Sequence, residues 1–299
     1  MRRKSILLMA ILCAGSGGTL ARAAAPPLRF VDSHTHLMIE NLTPDEEVAL
    51  LKKAGLSGVV LMHNVPDEIA ALAKKYPGFV IPSLSFTRPG PKSPRLDDNA
   101  GPLVSSLSAD HRICSVGEMN GASLEADKGP LHGLYAAAAA SGAPVIVHTD
   151  LANPDNIRAV ESAVTTYPKL KFVLAHLGWT AGPELIGRLL DAHRNLYTDL
   201  SIRLDPPGSI PWRNNGLDLT VLQADDTFQP AWNALILRHP DRFLFAMDIN
   251  SFGMRYTLTE QLVATARKAL APLPRKVQEG IAHGNIERLL RGCAAVRGR

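Results

Sequence analysis

From Pro26 and Pro27 onward the chain repeats one pattern: a short apolar run, a polar turn, then a stretch with helical spacing of its apolar positions. The apolar runs fall at Leu28–His36, Gly58–Met62, Phe79–Leu84, Ile113–Glu118, Pro144–His148, Lys171–His176, Leu196–Leu200 and Arg242–Asp248. Val59-Val60-Leu61-Met62 and Val145-Ile146-Val147 show no apolar/polar alternation, as expected of parallel strands covered on both faces. The stretches between them carry helix signals. Thr43 precedes Pro44, with Glu46 at the third helical position, Asp155 and Pro183 open later segments, and Gly55, Gly142 and Pro168 punctuate ends. Eight such units in about 275 residues predict an α/β fold, a single-domain (β/α)8 TIM barrel over residues 26–299, rather than a doubly wound sheet.

Two stretches break the rhythm, the Pro-rich Arg88–Asp98 and Arg203–Gln229 with Pro206, Pro207, Pro211, Trp212, Asn214 and Asn215. Both follow strands, on the face where such barrels build their sites, so the second is read as a cover or substrate loop. Ala136–Ala140 is read as helix.

Residues 1–25 follow a different pattern, with basic Arg2, Arg3 and Lys4, an apolar run from Ile6 to Ala14, a Gly/Ser break and small-residue cleavage sites at Ala21-Arg22-Ala23 or Ala23-Ala24-Ala25. They predict a secretory signal peptide, and the apolar run is well short of the roughly 20 residues that span a bilayer. The expectation is an exported protein, periplasmic or secreted, with no stable membrane anchor after cleavage. Whether Arg2-Arg3 marks the twin-arginine route stays open.

That segment also accounts for the basic surplus. Of 32 Lys and Arg residues, four (Arg2, Arg3, Lys4, Arg22) lie in it, so the remaining positive residues equal the 28 Asp and Glu. A balanced body lacks the excess that nucleic-acid binding needs, which leaves a small-molecule substrate as the expected partner and a homo-oligomer open. Cys114 and Cys293 are the cysteines of the body. One bridge is compatible with an oxidising compartment, but two small buried apolar side chains are the favoured reading.

The chemistry starts at Asp32-Ser33-His34-Thr35-His36, where His34 and His36 stand two apart on a strand and point the same way. With ten His in the chain, a bare His-x-His arises by chance about 0.3 times, and one with Asp two residues ahead about 0.02 times, so the pattern is informative. Glu118, His148, His176 and Asp248 close the fourth, fifth, sixth and eighth runs. Any one of them is most simply a capping or hydrogen-bonding group. A closed barrel gathers all six on one rim, where imidazole and carboxylate without thiolate suit a divalent metal. Zn²⁺ comes first, and Mn²⁺, Fe²⁺ or Co²⁺ fit the same donors.

The sequence resembles the amidohydrolase superfamily, and within it the amidohydrolase-related branch of metal-dependent hydrolases and decarboxylases. The matching pieces are FVDSHTHL at Phe30–Leu37, VGEMN around Glu118, VIVHTD around His148, LAHLGW around His176, LYTDLS around Asp199, FLFAMDIN around Asp248 and HGNIERLL near the C-terminus. The resemblance implies a distorted barrel in which His34 and His36 hold a metal, His148 and Asp248 complete its shell, and His176 ligates or acts beside the substrate. It also implies two arrangements. With two ions, His34, His36 and Asp248 serve one, His148 and His176 the other, and Glu118 bridges them. With one ion, His176 is free for acid–base work.

The implied reaction uses a water whose pKa the metal lowers toward about 7, with Asp248 taking its proton and returning it to the leaving group. The expected activity is hydrolysis of a C–O or C–N bond in a small ester, lactone or amide. A decarboxylase of the same branch and a non-catalytic metal- or ligand-binding barrel are the alternatives. Arg88 and Arg203, after the third and seventh runs, are candidate carboxylate partners, although solvated loop charge is the plainer reading. His63, a further candidate substrate contact, ends the second run with Asn64, and Trp179 and Trp212 are candidate pocket walls, each equally explained by packing.

Overall fold

The computed structural model describes residues 26–37, 39, 41–86, 92–120, 129–205, 219–250 and 256–296. Residues 1–25, Arg88, Trp212, Asn214 and Asn215 therefore lie outside the described residues. Eight parallel strands stand side by side in chain order: β1 (Phe30–His36), β2 (Leu56–His63), β3 (Val80–Leu84), β4 (Ser115–Asn120), β5 (Val145–His148), β6 (Phe172–Leu174), β7 (Leu196–Asp199) and β8 (Phe243–Leu244). Helices α1 (Pro44–Lys53), α2 (Pro66–Lys75), α3 (Ala100–Ala109), α4 (Gly129–Ser141), α5 (Pro154–Thr166), α6 (Pro183–Ala192), α7 (Pro230–Arg238) and α8 (Thr259–Leu270) alternate with them, and short α9 (Arg275–Glu279) and α10 (Asn285–Leu289) follow. This is the TIM barrel that the repeated pattern predicts. Among the described residues, no helix is long and apolar enough to cross a membrane.

Local chemistry sets the helix ends. Thr43 Oγ1 accepts from Glu46 N at 3.3 Å while Glu46 Oε2 accepts from Thr43 N at 2.7 Å, closing the expected capping box of α1. The cap of α5 is Asn153, whose Oδ1 accepts from Asp155 N at 2.9 Å, so Asp155 itself lies inside the first turn.

Two apolar layers result. Phe30, Val59, Leu61, Val80, Val145 and Phe172 pack outward against the helices. Val31, Val60, Met62, Ile81, Ile146, Val173 and Leu244 fill the inside, where Ile286, Leu289 and Leu290 join them from the C-terminal segment. Asn285 holds that segment in place: its Nδ2 donates to the carbonyls of Phe243, at 2.8 Å, and Pro240, at 3.0 Å.

The sequence overstates two strands. The sixth run ends its ladder at Leu174, and Ala175–Gly178 turns as a 3-10 segment that carries His176. The eighth run pairs with β7 only over Phe243–Leu244, because Phe245–Asp248 turns to face β1 instead. Ser33 N donates to Phe245 O at 3.0 Å, Asp248 N to His34 O at 2.7 Å and His36 N to Ile249 O at 3.0 Å. Asp32 completes this seam, its Oδ1 accepting from Met247 N at 3.1 Å and from His34 N at 2.9 Å.

The cysteines also differ from expectation. Cys114 and Cys293 are joined as a disulfide, with Cα atoms 5.3 Å apart, rather than packed as two separate small side chains. Their separation of 179 residues hid the pairing, since it is the return of the C-terminal segment beneath the barrel that brings Cys293 to the start of β4.

Candidate metal centre

Two irregularities in strand pairing aim the central residues. Along β1 the register runs Asp32 to Val59 but Thr35 to Leu61, so β1 carries one extra residue. Asp32 pairs with outward-facing Val59, yet His36 pairs with inward-facing Met62. The bulge thus switches His34 and His36 from the helix side to the barrel interior. On β4 the register runs Val116 to Val145 but Met119 to Val147, and the extra residue lies at Gly117–Glu118. Gly117, at φ +138°, leaves room for Ile146, whose carbonyl oxygen would lie 2.5 Å from an added Cβ. Glu118 is thereby turned inward between two strands that it would otherwise face away from.

His148 ends β5. His176 sits in a turn in which His176, Leu177, Gly178 and Trp179 all have φ between +55° and +69°. Three consecutive contacts hold this backbone: His176 N donates to Asp199 Oδ1 at 3.0 Å, Trp179 N to His176 O at 3.0 Å and Leu151 N to Gly178 O at 3.1 Å. Non-glycine residues in this region cost about 1–3 kcal/mol each, and such strain concentrates where side chains must be aimed. Asp248, at φ +49°, is the corresponding case after β8, and Asn250 Nδ2 donates to its carbonyl and its Oδ1, each at 3.0 Å.

The six side chains converge around Glu118. Its Oε1 lies 2.7 Å from His148 Nδ1, 3.3 Å from His176 Nε2 and 3.8 Å from His34 Nε2, and its Oε2 lies 3.4 Å from His36 Nε2. His34 Nε2 and His36 Nε2 face each other at 3.3 Å, and Asp248 Oδ1 lies 3.5 Å from His36 Nε2 and 3.8 Å from His34 Nε2. Two sets of three potential ligand atoms follow, His34 with His36 and Asp248, and Glu118 with His148 and His176. Among the described residues a third set joins His34 with His176 and Asp199, of which His34 Nδ1 and Asp199 Oδ2 are already bonded to each other at 3.0 Å.

The fit to a divalent ion can be tested on these distances. Ligands about 2.1 Å from a tetrahedral ion stand about 3.4 Å from one another, close to the 3.3–3.8 Å separations within the first set. The field fits as well. Burial opposes charge on His34, yet the Asp199 hydrogen bond and the carboxylates of Glu118, Asp199 and Asp248 together hold its pKa up at about 10. Burial likewise opposes charge on Glu118, but hydrogen bonds with His148 and His176 and the nearby His34 bring it well below the usual carboxylate range. Asp248 is also held low, against burial, by His34, His176 and His36. Buried acceptors of this kind demand positive charge, and a divalent cation supplies it.

Other expectations turn out differently. Arg203 is buried, and each of its three guanidinium nitrogens meets a backbone carbonyl: Nε donates to Leu219 O, Nη1 to Trp179 O and Nη2 to Ala181 O at 3.2 Å. It ties the loop after β7 to the turn after β6, a clamp that charge counting along the sequence reads as a free loop cation. His63 ends β2, and its Nε2 lies 3.0 Å from Glu68 Oε2 near the start of α2. Trp179 does reach the site, its ring centroid 5.1 Å from that of His148 and 5.4 Å from that of His176.

Three polar residues received no role from sequence. Asp199, at the end of β7, bonds to His34 and to the backbone of His176. Ser201 Oγ lies 2.7 Å from His176 Nδ1. Asp32, pushed up to about 7 by burial, belongs to the barrel seam rather than the centre. The signal for Asp199 was present, an acidic residue closing a strand run as Asp248 does, but its partner lies on β1, far away in sequence.

Comparison with known proteins agrees with this architecture. A family model described as amidohydrolase matches residues 18–292. No curated protein matches the chain at a significant level. Among solved structures, 5-carboxyvanillate decarboxylase from Sphingomonas paucimobilis is similar at TM-score 0.60 and 15% identity, covering 89% of this chain and 99% of its own. A probable 2-pyrone-4,6-dicarboxylic acid hydrolase from Acinetobacter baumannii aligns at TM-score 0.61 and 13% identity, over 88% of this chain and all of its own. An amidohydrolase from Burkholderia multivorans with bound zinc aligns at TM-score 0.58 and 15% identity, over 88% and 99%. At these identities the likeness is one of fold.

Proposed function

Because the chain belongs to the amidohydrolase family over nearly its whole length, we propose that it is an exported metal-dependent hydrolase that cleaves a C–O or C–N bond in a small ester, lactone or amide. The observation that carries this reading is the position of Glu118, between the His36 side of the site and the His148–His176 side. His34, His36 and Asp248 would hold one divalent ion and His148 and His176 a second, and Glu118 lies within reach of both groups. Zinc suits these donors best, and the zinc bound to the Burkholderia barrel supports that choice. When bound, the metal supplies a more acidic water and polarises the substrate oxygen.

The rest falls to the side chains. Asp248 accepts a proton from the attacking water through its carboxylate, kept aimed by Asn250 Nδ2 at 3.0 Å. As the water oxygen bonds to the carbonyl carbon, the C–O or C–N bond breaks and Asp248 returns that proton to the leaving oxygen or nitrogen. Trp179 bounds the site beside His148 and His176. With Arg203 committed to backbone carbonyls, recognition of a carboxylated substrate falls to other groups. Export is supported by the signal-like residues 1–25 and by the Cys114–Cys293 bridge, since disulfides persist in oxidising compartments.

The test is a turnover screen of zinc- and manganese-loaded protein on lactones, esters and amides, alongside carboxylated aromatic acids monitored for CO2. Metal-dependent release of acid from one of the first group supports the hydrolase. Release of CO2 with no hydrolysis of any ester, lactone or amide contradicts it and identifies the decarboxylase of the same branch.

A further inference from the structure

We infer that Asp199 is a positioning residue for both halves of the metal centre, setting the ring orientation of His34 directly and that of His176 through the hydroxyl of Ser201. Asp199 Oδ1 takes three donors, the backbone N–H of His176 at 3.0 Å, the backbone N–H of Ser201 at 3.1 Å and the Ser201 hydroxyl, as an ionised carboxylate oxygen does. Asp199 Oδ2 is left to accept from His34 Nδ1–H at 3.0 Å. Ser201 has one hydroxyl proton, and it is directed at Asp199. The contact of 2.7 Å between His176 Nδ1 and Ser201 Oγ is therefore donated by the ring.

Both imidazoles then keep hydrogen on Nδ1, which makes Nε2, the nitrogen turned toward the centre, the one that would be free of its proton with a metal bound. His34 Nε2 faces His36 and Asp248, and His176 Nε2 faces Glu118. A carboxylate that accepts from the far nitrogen of a ligating histidine fixes its tautomer and strengthens its near nitrogen as a donor, an effect of about 10- to 100-fold in metal affinity. Here one carboxylate serves a histidine in each ligand set. The two connections differ, because Ser201 stands only in the path to His176. This assignment rests on the two-ion reading given above.

The experiment titrates metal-free full-length protein with Co²⁺, following stoichiometry and affinity by calorimetry and the ligand field by visible absorption, for wild type, Ser201→Ala and Asp199→Asn. Melting of each metal-free protein checks that it is folded, and Ser201→Ala, which removes one oxygen atom, carries the test if Asp199→Asn does not fold. The expected result is two ions in wild type, a 10- to 100-fold loss at one of them in Ser201→Ala with the other unchanged, and a loss at both in Asp199→Asn. In Asp199→Asn the Co²⁺ bands of the retained ion shift as well. Wild type binding two ions and Ser201→Ala binding both with wild-type affinity overturns the relay and leaves the two-ion reading intact. Wild type binding fewer than two ions at saturation overturns the two-ion reading and the relay with it.

Discussion

Glu118 on β4 meets His148 on β5 with Oε1 2.7 Å from Nδ1, and the same carboxylate turns its other oxygen toward β1. Its carboxylate faces both ligand sets. Glu118→Gln keeps the shape and removes the charge that balances the imidazoles. The expected outcome is loss of one of two bound ions and a fall in turnover of roughly 100-fold or more, read by elemental analysis of the purified variant beside its kcat.

Asp248→Asn separates holding metal from moving protons. An amide oxygen still faces His34 and His36, but it cannot take up a proton. Metal content is expected to stay near wild type while kcat falls by about 10²- to 10⁴-fold, the usual contribution of a positioned acid–base group. Unchanged turnover removes Asp248 from the reaction.

The fold was legible almost strand by strand because parallel strands buried on both faces stay apolar throughout, and the polar residues ending them marked the rim. What sequence alone does not show is facing. A strict period of two places His34 with outward-facing Phe30 and Glu118 with outward-facing Val116, and only the extra residues in β1 and β4 turn them inward. Asp199 and Ser201 escaped notice for a related reason. Their work is done on the far nitrogens of two histidines, through contacts 165 and 25 residues apart in the chain.

Arg203 gives a prediction opposite to the one its charge suggests. As a clamp on the carbonyls of Leu219, Trp179 and Ala181, it is needed for stability and for the placement of Trp179. Arg203→Met leaves those wholly or partly buried acceptors without this partner, at a cost of roughly 2–4 kcal/mol, and lowers the melting temperature by roughly 5–15 °C in a domain of this size. A melting temperature equal to wild type, together with lost affinity for acidic substrates only, returns Arg203 to the role of a carboxylate partner.

The Cys114–Cys293 bridge closes a loop across most of the barrel, and in the chain-entropy limit such a loop is worth about 5 kcal/mol. The Cys114→Ser/Cys293→Ser double variant is expected to melt well below the oxidised wild type. Reductant is expected to lower the wild type to the same value while leaving the variant unmoved. Mass spectrometry of unreduced peptides identifies the pair directly.

A two-ion centre built on Glu118 is read by elemental mass spectrometry of protein purified without chelator or metal-affinity resin, then equilibrated with Zn²⁺ and freed of excess. About two ions per chain are predicted. One ion or none at saturation rules that centre out.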